Sequence, residues 1–249
     1  MRKKLTILAI LCIVLFTSKN YAQLPDRNFR NISVDKGLSQ SSVFAIQQDK
    51  LGFIWVGTQD GLNRYDSKRF KVYRPLKSQK NSLQSYYIRS LFLDHKGQLW
   101  IGGNKGVSIY NYNTDSFVNY KLPGSLGEWF ISSIAEDHLH QIWAVSNAGD
   151  VFLLSPQSKN FTPVKFNASS HEIKKINYVG IWQQQIILGT DVGLFKLKPA
   201  VHQLVKIDLG KKKPYINDVY IDKNKLWIAT EGDGVLTYNT QTKQISSLL

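Results

Sequence analysis

The sequence predicts an all-β fold, a propeller of four-stranded antiparallel blades, and three observations carry that prediction. The chain repeats itself five times, with anchor positions 55, 100, 143, 187 and 227 spaced 45, 43, 44 and 40 residues apart, a period that suits a blade of four short strands. Within each copy the apolar runs are short, rich in Val, Ile, Trp and Tyr, and broken by Gly, Asp and Asn, as strands and tight turns require. No copy shows apolar residues at 3.6-residue spacing over ten or more positions, which a helical repeat of this length would need.

The elements follow in chain order. Residues 1–22 read as a secretory signal: Arg2, Lys3 and Lys4 form a positive start, 5–16 is apolar except for Thr6, and cleavage is expected after Ala22. That apolar run falls short of the ~20 residues a membrane-spanning helix needs. Cys12, the only cysteine, lies inside this segment behind Ile10 and Leu11 rather than small residues, so lipidation is not expected. The mature chain then has neither thiol nor disulfide, and its stability rests on buried core. Removing Arg2, Lys3, Lys4 and Lys19 from the 32 basic residues leaves 28 against 18 acids, so the formal charge falls from +14 to +10. An exported basic protein meets anionic glycans or a membrane surface before nucleic acid, and no nucleic-acid partner is expected. The run Lys211, Lys212, Lys213 reads as a solvated loop.

A lead-in over 23–42 with one strand at 30–34 precedes the blades, which are expected at 43–87, 88–130, 131–175, 176–215 and 216–249. In the first blade strands A to D fall at 43–48, 53–57, 62–65 and 70–73. Asp49-x-x-Gly52 and Asp94-x-x-Gly97 are A–B hairpin turns, the Asp capping turn amides and the Gly supplying positive φ. The third copy has His140 at the glycine position, and the fourth is degraded, with Ile187 where the others carry tryptophan. Trp55, Trp100, Trp143 and Trp227 hold a constant place in the repeat and read as apolar plates between neighbouring blades rather than as ligand platforms. The fifth copy has its own last strand at 243–248, so the lead-in strand has no vacancy to fill. An incomplete ring, the N-terminal piece of a longer protein, is therefore expected.

The B–C and D–A connections emerge on one face of such a ring. Tyr86, Tyr87 and Trp129 end two of the long D–A links, and Asp60 and Lys105 sit in B–C turns, so these five are the candidate ligand-binding residues. Aromatic rings beside polar groups suit a sugar, whose apolar face stacks while its hydroxyls need hydrogen-bond partners. The competing reading has the rings plugging the channel or beginning strand A. No catalytic residue, cofactor or metal is expected. No Gly-x-Ser-x-Gly elbow appears. The mature chain's arginines (Arg27, Arg30, Arg64, Arg69, Arg74, Arg89) crowd its first third, so a ring of them facing a channel is implausible. Glu231-Gly232-Asp233-Gly234 is too short for a calcium loop. His138 and His140 are spaced to share a metal, but no third ligand stands beside them, and they and His95 read as solvent-exposed turn residues.

The segment Gly57-Thr58-Gln59-Asp60-Gly61-Leu62-Asn63-Arg64-Tyr65-Asp66, with Phe53-Ile54-Trp55-Val56 before it, resembles the repeat called the two-component regulator propeller. The lead-in Phe29-Arg30-Asn31-Ile32-Ser33-Val34-Asp35-Lys36-Gly37-Leu38-Ser39-Gln40 and the Asn81-Ser82-Leu83 linker are similar to the same family. The resemblance runs over 29–249, strongest over 29–120. It implies the periplasmic sensor region of a hybrid histidine kinase that responds to a glycan or oligosaccharide. Its membrane span and kinase regions would lie outside this sequence, the full-length form being inner-membrane anchored and dimeric. A stand-alone secreted propeller acting as a binding or scaffold module is the second reading, and a glycan-cleaving enzyme the third.

Overall fold

A computed structural model describes residues 31–123, 130–166, 172–198, 203–210 and 213–248. The repeats fold into five separate four-stranded antiparallel sheets, each built from four consecutive strands. The first holds β1–β4 (Val43–Gln48, Ile54–Thr58, Gly61–Tyr65, Phe70–Tyr73) and the second β5–β8 (Ile88–Leu93, Leu99–Gly103, Gly106–Asn111, Ser116–Tyr120). The third holds β9–β12 (Ile131–Glu136, Ile142–Ser146, Val151–Leu154, Thr162–Pro163), the fourth β13–β16 (Ile176–Trp182, Gln185–Thr190, Gly193–Lys198, Gln203–Lys206). The fifth holds β17–β20 (Tyr215–Asp222, Lys225–Glu231, Val235–Asn239, Ile245–Leu248). Successive first strands pack together from β1 through β5, β9 and β13 to β17; no comparable packing joins β17 back to β1.

The Asp-x-x-Gly turns do more than reverse the chain. Asp49 Oδ1 accepts the amides of Leu51 and Phe53 at 2.9 and 3.0 Å while Oδ2 accepts the Trp55 indole N–H at 2.6 Å. Asp94 does the same for Lys96, Gln98 and Trp100, and Asp137 for Leu139, Gln141 and Trp143. One carboxylate thus closes the hairpin and fixes the ring that packs on the next sheet. Trp55 joins Leu99, Ile101 and Tyr110 of the second sheet, Trp100 joins Ile131 and Phe152 of the third, and Trp143 joins Ile176 and Leu188 of the fourth. Burying each such side chain contributes about 2–3 kcal/mol. Close approach of the sheets also demands glycine: a Cβ on Gly102 would sit 2.7 Å from Ile131 Cγ2, and one on Gly57 2.8 Å from Ile88 Cγ2.

The fourth blade solves the same packing differently. Its A–B turn is the two-residue Gln183-Gln184, both at positive φ, as a tight hairpin of the I′ kind requires. With Ile187 in the tryptophan position, Trp182 fills the interface with the fifth sheet instead, among Ile216, Leu226 and Tyr238. Among the described residues its indole N–H has no hydrogen-bond partner. Trp227 departs from the expected plate role: it is half-buried, on the face of β18 opposite Leu226 and Ile228, and Lys225 Nζ stands 4.9 Å from its ring.

The lead-in also differs from expectation. Residues 31–33 form no strand, and Val34–Lys36 is a 3-10 turn. Gly37, at φ 100°, caps it by donating its N–H to the Val34 carbonyl at 3.0 Å. The Asp-Lys-Gly string is itself a turn-and-stop signal. The chain then docks across the first sheet: Ser39 N donates to Asn63 Oδ1 at 2.9 Å and Leu38 is buried. The secretory signal proposed for 1–22 lies outside the described residues. Among the described residues no helix is long and apolar enough to cross a membrane.

Candidate functional site

A cavity of about 590 Å³ sits where the first strands of all five blades begin. One local device builds it. In every blade the pairing of strands A and B skips one residue near the head of A: Val43 pairs Thr58 but Ala45 pairs Gly57, and the same skip recurs at 88/90, 131/133, 176/178 and 216/218. The skipped residues are Phe44, Arg89, Ser132, Asn177 and Asn217, and all five line the cavity. A β-bulge re-aims a side chain and bends its strand, and five of them turn five side chains onto one space. The residue before each bulge in blades two to five is isoleucine, fully buried in the core.

The bulges also stitch blade to blade. Ser132 Oγ donates to the Ile176 carbonyl at 2.6 Å and Asn177 Nδ2 to the Ile216 carbonyl at 2.8 Å; Ser90 Oγ, one residue past its bulge, donates to Ile131 at 3.0 Å. Each of these bonds satisfies a carbonyl at a place where the ladder is broken. The serine and one amide hydrogen of Asn177 are thereby spent on structure. Arg89, Asn217, Asp218 and Lys175, with Asn147 and the rest of the Asn177 amide, line the space as further polar groups.

One wall is aromatic. Tyr87 packs against Phe44 and Phe130 with ring centroids 4.9 and 5.4 Å apart, and the Arg89 guanidinium lies 4.7 Å from Phe44 and 5.3 Å from Phe130. Arg89 has no carboxylate within salt-bridge distance among the described residues, so these ring faces are what hold it. Across the cavity Lys175 stands beside Tyr215. Burial, with the nearby Asp218 carboxylate adding to it, pushes the Tyr178 hydroxyl well above the usual phenol range. The opening therefore offers two cations, one carboxylate, three amides and an aromatic wall.

Of the residues singled out from sequence, Tyr86, Tyr87, Asp60 and Lys105 are not among those lining this space. Tyr87 supports Phe44 and Phe130 from behind. Tyr86 is exposed, its hydroxyl 3.4 Å from the Pro75 carbonyl. Asp60 is engaged by Arg74 through two bonds of 3.1 and 2.7 Å, and the guanidinium holds its carboxyl below the ordinary range. That pair clamps the B–C turn to the D–A link. Lys105 is exposed, and its amide donates to Ser85 Oγ. Trp129 lies outside the described residues. Sequence reading missed Phe44, Arg89, Asn177 and Asn217, although the repeat gives them one shared position, directly after Val43 in the first copy and after Ile88, Ile176 and Ile216 in the second, fourth and fifth.

A family description, the two-component regulator propeller, matches residues 37–60 and 82–105, stretches that include Phe44 and Arg89. A histidine kinase, P4, of Formosa agariphila is 56% identical over 46 residues, 18% of this chain and 3% of that protein. The extracellular domain of BT3049 from B. thetaiotaomicron, described as a hybrid two-component system, superposes with a TM-score of 0.71 at 22% identity over 87% of this chain and 31% of its own. Virginiamycin B lyase of Staphylococcus aureus shares the fold at TM-score 0.64 and 10% identity, over 83% of this chain and 69% of the lyase. This chain thus spans about a third of the BT3049 domain and a small fraction of the kinase.

Proposed function

We propose that this chain is an extracytoplasmic sensor propeller of a two-component system that takes a glycan fragment at the cavity formed by the five strand-A bulges. The signal passes to membrane and kinase regions outside this sequence, and the protein is exported to the periplasm and membrane-anchored in its full-length form. The observation that carries the reading is the coincidence of two findings. The repeats that match the regulator family contain the bulges that aim Phe44 and Arg89 inward. An aromatic wall next to amides and a carboxylate matches the two faces of a sugar, and Arg89 and Lys175 favour one bearing acidic groups.

Calorimetric titration of the purified chain with neutral and acidic oligosaccharides tests this. At least one is expected to bind, with R89A and N217A each weakening it more than about tenfold, equivalent to about 1.4 kcal/mol. Binding by no oligosaccharide, or undiminished binding by both variants, would overturn it.

A further inference from the structure

On the face opposite the bulge cavity, a second hollow of about 530 Å³ lies between the second and third blades. At its edge three side chains far apart in sequence meet. His95 comes from the β5–β6 turn, Glu136 ends β9, and His140 is in the β9–β10 turn. Their ligand atoms all lie within 4.8 Å of one another. Both imidazoles turn Nδ1 to the same carboxylate oxygen, Glu136 Oε1, that of His140 at 3.2 Å and that of His95 in still closer contact. The two rings stack with centroids 3.8 Å apart. The other carboxylate oxygen, Oε2, accepts the His95 backbone N–H at 2.8 Å, which fixes the group's orientation. Sequence reading found no third ligand for His138 and His140 because the partner of His140 is His95, on the neighbouring blade, and His138 takes no part.

Two further features bear on this cluster. His140 occupies the place held by Gly52 and Gly97 in the first two blades and adopts their backbone conformation, at φ 59°. A non-glycine there is strained, and strain retained against an available glycine points to a use for the side chain. Glu136 is mostly buried, with 9% of its side chain exposed, yet its oxygen faces the two half-exposed imidazoles across the blade boundary.

We infer that His95, Glu136 and His140 form a binding site for a divalent cation of the zinc class that bridges the second and third blades. Two imidazoles and a carboxylate are the donors such an ion prefers, and they disfavour calcium and magnesium, which take oxygen donors. Ligand atoms around tetrahedral zinc stand ~3.3 Å apart, given bonds of about 2.0–2.1 Å. The 3.2 Å separation of His140 from Glu136 meets this, and His95, on an exposed turn, needs only a small side-chain rotation. The fourth position opens onto the hollow, where Asn111, Asn113 and Ser158 stand nearby. Water, or an acidic group of a bound partner, completes the coordination there.

The test uses the purified chain stripped with chelator and titrated with zinc sulfate, read by calorimetry and by thermal denaturation. One zinc per chain is expected, with a rise in Tm that calcium and magnesium do not produce. H95A and E136Q should weaken binding at least as much as the roughly 10–100-fold that loss of an outer-shell partner brings, and H138A should leave it unchanged. H140G guards against misfolding as an explanation. It restores the turn glycine, so without metal it should melt at or above the wild-type temperature while losing the zinc-induced rise. No zinc binding by the wild-type chain, or undiminished binding by H95A and H140G, would overturn the inference.

Discussion

Replacing Asp94 by alanine should cost the protein about 2–5 kcal/mol. The carboxylate is buried, 7% exposed, and accepts three bonds: from Lys96 N at 2.9 Å, Gln98 N at 2.8 Å and Trp100 Nε1 at 2.9 Å. Lys96 and Gln98 are exposed, so water takes over their amides at small cost. The Trp100 indole is 4% exposed and wedged between blades, and its abandoned N–H alone costs about 1–3 kcal/mol. Loss of the charge-assisted turn bonds adds about 1–2 kcal/mol. At roughly 2–4 °C per kcal/mol for a domain of this size, Tm should fall by about 10 °C. Asp94→Asn keeps an acceptor for the turn amides but sets an amide N–H₂ against the indole, and should cost about half as much. Urea unfolding followed by tryptophan fluorescence measures both. A D94A variant within about 1 kcal/mol of wild type, or a D94N variant as damaged as D94A, would refute the view that this carboxylate holds the indole in place.

Two other outcomes follow from the same interfaces. Trp182→Phe removes an indole N–H that has no partner among the described residues and should stay within about 1 kcal/mol of wild type, whereas Trp100→Phe strands Asp94 and should cost about 2–3 kcal/mol; paired denaturation curves decide it. Asp115 is subject to opposing effects: partial burial raises its pKa, but bonds from Lys71, Tyr110 and Tyr73 outweigh this and hold it at about 2, below the ordinary 3.8. A depressed carboxyl stabilises the fold above its unfolded pKa and loses that contribution as pH falls from about 4 towards 2. Because the side chain is 38% exposed, the contribution is discounted to about 1 kcal/mol. Urea midpoints between pH 5 and 2 should fall more steeply for wild type than for Asp115→Asn, and parallel curves would refute the assignment.

The repeat made the blades legible almost strand by strand, because strand and turn chemistry recur locally: β1 and β4 fall where periodicity places them, at Val43–Gln48 and Phe70–Tyr73. Where local rules compete, the reading slipped. The lead-in's β-branched residues suggested a strand, but the Gly37 stop signal two positions after Asp35 governs the backbone. The site was harder. The repeat aligns Arg89 with Asn217, but that a bulge turns them inward appears only when strand pairing is laid out. Asp60, conspicuous by charge, proved to be tied to Arg74. The histidine cluster was invisible for another reason, since blade-to-blade docking brings His95 to Glu136 across 41 positions.

The strand-A bulges separate two kinds of inheritance. Ile88, Ile131, Ile176 and Ile216 carry the packing, while the very next residue projects into the opening and bears little of the core. Ser132 and Asn177 also bond the next blade, but Phe44, Arg89 and Asn217 can be exchanged for other residues, changing the chemistry of the opening without first acquiring new stability. Duplicating a blade copies the framework intact and presents one more position on which selection can act.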